Sequence, residues 1–162
     1  MRRRQVHLDF HTSEKISGVG SKFSKEQFQQ MLKKGHIDSI TVFAKCHHGW
    51  SYYPSKVNPM HPNLDFDLLG AQIEAAHEIS VKTPVYISAG WDNKSYKLHH
   101  EWLHNTKNEY LNGVNHEYVG WHNMCLNTPY LDELLSEIKE VCENYDADGI
   151  FLDIVYVDPC YC

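Results

Sequence analysis

Apolar residues along this chain fall into two recurring patterns, short continuous runs and stripes at helical spacing. The runs near 5–10 (QVHLDF), 39–45 (SITVFAK), 83–89 (TPVYISA) and 149–155 (GIFLDIV) are rich in Val, Ile, Phe and Tyr and predict strands. Three stripes lie between them. Ser24 with Gln27 is a capping-box signature, Phe23 and Phe28 fit the hydrophobic staple around it, and Gly35 stands where a C-cap belongs. Phe28, Met31 and Leu32 give that helix its apolar stripe. A second helix is predicted over 65–80, with Leu69, Ile73, Ala76 and His77 on one side. In the third, Thr128 caps, Pro129 suits the first helical position, and Asp132 and Glu133 occupy the first turn. Leu131, Leu134, Leu135, Ile138, Val141 and Cys142 recur there at helical spacing, and all these stripes are expected to face a core.

Strands alternating with helices imply βα units, an α/β fold and a parallel sheet. Four such units are half of a (β/α)8 TIM barrel, whose usual length is about 250 residues. The expectation is a partial barrel, residues 1–162 being the N-terminal portion of a domain that continues. A doubly wound sheet competes, but it normally carries a glycine-rich phosphate turn directly after its first strand. SGVGSKF at 17–23 is only a weak echo, displaced from that strand. The segment 91–127 holds Trp91, Trp102 and Trp121 with several histidines, shows little periodicity, and reads as an elaborated βα loop.

Charge narrows the function. Fifteen Lys and Arg against 21 Asp and Glu give a net charge of −6, which argues against a nucleic-acid partner. Arg2, Arg3 and Arg4 read as a solvated end. No run approaches the roughly 18 apolar residues of a membrane span. No apolar signal region precedes the first strand, so a cytoplasmic protein is expected. Five scattered cysteines suit reduced thiols better than a disulfide framework. Cys46 and Cys142 lie in apolar segments and are expected to be buried, while Cys160-Tyr161-Cys162 is a poor match to zinc-site spacing. Neither metal nor cofactor is expected. Twelve histidines, 10 Tyr, 6 Phe and 4 Trp suit a site for sugars or metals.

Ligands of α/β folds bind at the carboxyl ends of the strands. Here the first end carries His11, and the second Lys45, His47, His48, Trp50, Tyr52 and Tyr53. The third carries Trp91 and Asp92, and the fourth Asp153. Asp153 stands out because it interrupts a run expected to be buried on both faces, where an ionised carboxylate is costly. Singly, each residue has a structural reading: His11 a satisfied core imidazole, Trp91 a cover for the rim, Asp153 a loop cap. Four ends of one sheet open on one mouth, and the joint arrangement favours a shared pocket.

In order along the chain, these motifs resemble the α-L-fucosidase-like glycoside hydrolases and their uncharacterised barrel relatives. LDFHT matches a strand-end histidine motif at His11, and AKCHHGW resembles a lysine-histidine-histidine-aspartate-glycine-phenylalanine motif. VYISAGWD follows, and LLSEIKEVCENYDADGIFLDI resembles the helix and strand leading to the nucleophilic aspartate, at Asp153. The resemblance spans nearly the whole chain. It implies a retaining glycosidase with Asp153 as nucleophile, and with His11, His47, His48, Trp50, Trp91 and Asp92 contacting a carbohydrate. The general acid/base of that family comes from a later part of the barrel. Departures mark a divergent relative: Cys46 stands for the first histidine, His48 for the aspartate, and Phe151 for a frequent tryptophan.

Two rivals remain. His7, Asp9 and His11 alternate along the first strand and would share a face, as the ligands of a metal-dependent, amidohydrolase-like barrel hydrolase do. The aromatic and histidine content also suits a non-catalytic carbohydrate-binding barrel.

Overall fold

The computed structural model describes residues 4–105, 120–155 and 159–162. Ser24 caps α1 (Lys25–Lys34) by accepting from the Gln27 amide at 3.3 Å, and the Phe23 and Phe28 rings meet at 5.7 Å as the staple. Gly35 is the C-cap, but the left-handed turn that ends the helix falls on His36, with φ 52°. The Asp67 carboxylate accepts from Gly70 N–H and starts α2 (Leu68–His77). Thr128 Oγ1 accepts from the Tyr130 amide at the start of α4 (Tyr130–Asn144), with Pro129 already in helical conformation.

Four parallel strands, β1 (Gln5–His7), β2 (Ser39–Lys45), β3 (Pro84–Ser88) and β4 (Gly149–Asp153), lie in the order β1-β2-β3-β4. A doubly wound sheet reverses its strand order and takes helices on both faces. This order runs without reversal. Leu32 of α1, Leu69 and Ile73 of α2, and Leu134 and Val141 of α4 share one core with Val42, Val85 and Ile87. The long helices therefore cover one face. Val42, Val85, Ile87 and Val141 are nearly excluded from water, worth about 1.5–3 kcal/mol each over an exposed side chain. On the opposite face a row of rings crosses the sheet: His7 to Phe43 at 5.4 Å, Phe43 to Tyr86 at 4.0 Å, and Tyr86 to Phe151 at 5.8 Å.

Several expectations fail, each for a physical reason. The first strand stops at His7, so the alternation that would align His7, Asp9 and His11 does not extend to His11. The fourth stops at Asp153, because Ile154 turns to φ 56°, a conformation β-branched residues avoid. Nor is β4 buried on both faces. Among the described strands it is an edge, and Phe151 and Leu152 remain 43% and 40% exposed. The helical stripes are one residue too wide. Met31, Leu135 and Cys142 are exposed, each about 100° around the helix from buried Leu32, Leu134 and Val141. The long loop holds a helix that its sequence did not suggest, α3 (Asn93–Leu98), followed by a 3-10 turn at His100–Trp102. Residues 106–119 of that loop, and Arg2 and Arg3, lie outside the described residues. Arg4 pairs with Asp38 at 3.2 Å. Among the described residues, no helix is long and apolar enough to cross a membrane.

Candidate active site

A bulge between Phe43 and Lys45 decides which side chains of β2 reach the sheet's mouth. It turns Lys45 to the helix-covered side, opposite Ile87, where its ammonium meets Asp92 at 3.0 Å and Glu137 of α4 at 2.7 Å. All three side chains are buried. Burial alone would lower the Lys45 ammonium, but Glu137, Tyr130 and Asp92 hold it well above its usual range. Asp92, expected at the sugar site, is instead part of this buried network. One of its oxygens faces Lys45, the other accepts from the Ser95 amide to cap α3, and the residue is excluded from solvent. Lys45, which the sequence puts at the second strand end, is drawn away from the mouth with it.

Asp153 ends β4 at the other face's mouth, and its side chain is 36% exposed. Ending the strand there, rather than two residues later, gives the carboxylate solvent instead of hydrocarbon. Its Oδ2 accepts from Tyr86 Oη at 2.7 Å, and its Oδ1 from the Ile154 amide at 2.8 Å. Burial and the neighbouring Asp153 raise the Tyr86 hydroxyl, which keeps its proton and acts as donor. His47 Nε2 lies 3.9 Å from the same carboxylate oxygen.

The proton on His47 can be traced. Ser88 Oγ donates to Trp91 O at 2.7 Å, so it accepts from His47 Nδ1 at 2.7 Å. Nε2 is then an unprotonated acceptor facing the mouth. Burial, followed by the adjoining His11, pushes His47 down to about 4. Its folded value lies below the ordinary 6.5, so protonation between those limits opposes folding, and the ring is neutral at pH 7. Nitrogen NMR of the histidines should show the Nδ1–H tautomer for His47 and a midpoint near 4; a midpoint near 6.5 would remove this assignment.

Around this pair the rings converge. His11 stacks on His47 with centroids 4.2 Å apart, and burial lowers it as well. Trp91 meets His47 edge-on at 4.9 Å. Trp121 lies 5.1 Å from His47, 4.8 Å from His48 and 6.1 Å from Trp91. The bridge between Trp91 and Asn123 folds the far end of the long loop back over the sheet and brings Trp121 here. His11, His47, His48, Trp91 and Asp153 thus gather as expected. Trp50 is half-buried and makes no ring contact with them among the described residues. Tyr86, Ser88 and Trp121 were not singled out. The two-residue period of β3 offered Tyr86 and Ser88, whereas Trp121 had only the aromatic density of its loop as a signal.

His7, Asp9 and His11 do come near one another, at 3.0 Å and 3.6 Å from Asp9 Oδ1. Among the described residues, however, three ligating atoms mutually within 4.8 Å occur at Cys125, Cys160 and Cys162, not at this trio. The metal-hydrolase reading loses its geometric support.

Residues 24–154 match the family described as hypothetical glycosyl hydrolase 6. Among solved structures, the α-L-fucosidase isoenzyme 2 of Paenibacillus thiaminolyticus is 57% identical over 100% of this chain, with a TM-score of 0.94. The Thermotoga maritima α-fucosidase in complex with a mechanism-based inhibitor is 19% identical over 86% of the chain, at 0.63. The Bacteroides thetaiotaomicron α-L-fucosidase trapped as a covalent intermediate is 18% identical over 82%, at 0.59. At those identities the last two show the fold alone. The chain spans 25%, 31% and 27% of these three proteins respectively. No curated protein is significantly similar. By the family match over most of its length and the full-chain likeness to the Paenibacillus enzyme, this chain belongs to the hypothetical glycosyl hydrolase 6 family, as an α-L-fucosidase-like glycoside hydrolase segment.

Proposed function

We propose that this chain is the nucleophile-bearing part of a retaining glycosidase barrel acting on an α-L-fucoside-like substrate. The observation that carries the reading is Asp153 itself. It is a partly exposed carboxylate at a strand's carboxyl end, fixed by Tyr86 and the Ile154 amide, beside neutral His47, whose ring meets two indoles. In a retaining reaction such a carboxylate attacks the anomeric carbon, and a second carboxyl, about 5–5.5 Å away, protonates the leaving oxygen. Tyr86 and the amide orient the attacking oxygens. His47 Nε2 accepts from a sugar hydroxyl, and Trp91 or Trp121 lies against the ring's apolar face. The unreversed strand order and single helical layer support a (β/α)8 barrel of which these four units are a part, the acid lying in the remainder.

The direct test uses a 2-fluoro-fucosyl fluoride. Fluoride leaves without much help from an acid, and the 2-fluoro group slows release, so a retaining nucleophile stays glycosylated. Peptide mapping of the longer protein should place the sugar on Asp153. A label on another carboxylate, or inversion at the anomeric centre of the product, would overturn the assignment. Residues 1–162 alone should show negligible turnover of an aryl fucoside, and measurable hydrolysis would contradict the missing-acid argument.

A further inference from the structure

The cysteines, scattered in sequence, converge in space. Cys125 Sγ lies 3.7 Å from Cys160 Sγ and 3.6 Å from Cys162 Sγ, and all three sulfurs fall within 4.8 Å of one another. A disulfide would need about 2.05 Å. Three thiolates on one tetrahedral zinc, at about 2.3 Å each, stand about 3.8 Å apart. The observed separations are close to that edge. Two N–H groups already point at the sulfurs: the Asn105 amide to Cys160 at 3.3 Å and Asn127 Nδ2 to Cys162 at 3.6 Å. Such donors stabilise thiolate charge and orient metal ligands. Cys125 and Cys160 also line a cavity of about 150 Å³ whose wall includes His104, Gly90 and Ile154.

We propose that Cys125, Cys160 and Cys162 supply the three protein thiolates of a zinc-binding site. The site joins two parts of the chain that flank the catalytic mouth. Cys125 belongs to the returning arm of the long loop, where its amide donates to Trp102 O at 2.8 Å. Cys160 and Cys162 follow β4 by only a few residues, and the Tyr161 amide donates to Asn105 O at 2.8 Å. A metal there would clamp the chain beyond Ile154 against the loop that carries Trp121, and so hold the turn that presents Asp153. Its chemistry is structural. The ligands must shed their thiol protons, so affinity should fall in acid.

The test uses the full chain, purified with reductant, stripped with chelator and reloaded with zinc alone. Native mass spectrometry should find one zinc per chain after desalting, and cobalt in its place should give thiolate-to-cobalt charge-transfer absorption with intense tetrahedral bands. The Cys160→Ser/Cys162→Ser double variant should lose more than the roughly 10–100-fold that an outer partner contributes. These residues are half-buried and exposed, so an unchanged far-UV spectrum is expected alongside that loss. Exposed Cys142→Ser should bind as before. Failure to retain stoichiometric zinc, equal retention by the double variant, or a native disulfide among the three cysteines would overturn the proposal. None of these readouts depends on glycosidase activity.

Discussion

Replacing Asp153 with Asn in the longer protein is expected to lower kcat by a factor on the order of 10⁴–10⁶, the scale of losing a covalent nucleophile. Sugar affinity should change only a few-fold, because Asn keeps the shape and its single amide oxygen still accepts from one of the two donors, Tyr86 Oη or the Ile154 amide. The reason lies in the contacts: both donors address the carboxylate's two oxygens separately, so one survives on the amide oxygen and the side chain stays placed. Calorimetric binding of fucose alongside aryl-fucoside kinetics separates the cases. A binding module would have no hydrolysis to lose. Residual activity above about one per cent would leave the nucleophile elsewhere.

Lys45→Met should destabilise the fold by about 3–5 kcal/mol, a large share of a typical domain's stability. Lys45, Asp92 and Glu137 are buried together, and removing the cation leaves buried Asp92 without its ion pair and Glu137 without its partner. The pH dependence carries a second signature. Burial raises Glu137 from its ordinary 4.5 to about 7 despite Lys45. The folded chain therefore holds a proton that the unfolded chain has lost between those values. Stability from this group is fullest below about 4.5 and declines as pH rises through 7. Glu137→Gln, which keeps the Lys45–Asp92 pair, should cancel that decline and match or exceed the parent at pH 8. Urea unfolding at pH 5 and pH 8 reads both effects. A Lys45→Met cost below about 1 kcal/mol would show that the triad is not the buried network described.

These two sites differ in how far the sequence reveals them. The apolar runs and caps are local signals, and they located β2 to the residue and the starts of α1 and α4 within a position. Motif order placed His11, His47 and Asp153 together, because parallel strands of a βα fold bring their carboxyl ends to one rim. The buried triad had no such signal. Lys45 read as a mouth residue because it ends its strand, and the bulge after Phe43 turns it to the helix-covered face. Glu137 stands three residues after Leu134 and four before Val141, on the buried stripe of α4, but its charge reads as solvent-facing until Lys45 meets it there.

The sequence by itself determined the order of strands and helices and singled out Asp153, the strand-end carboxylate of the proposed mechanism. Both are encoded in neighbouring residues, as periodicity, caps and contiguous motifs. The tertiary structure alone decided which face each charge takes, that Trp121 closes over the imidazoles, and that Cys125 meets Cys160 and Cys162. Those outcomes depend on a bulge and on a long loop folding back, which join residues far apart along the chain, and spacing in sequence says nothing of such contacts.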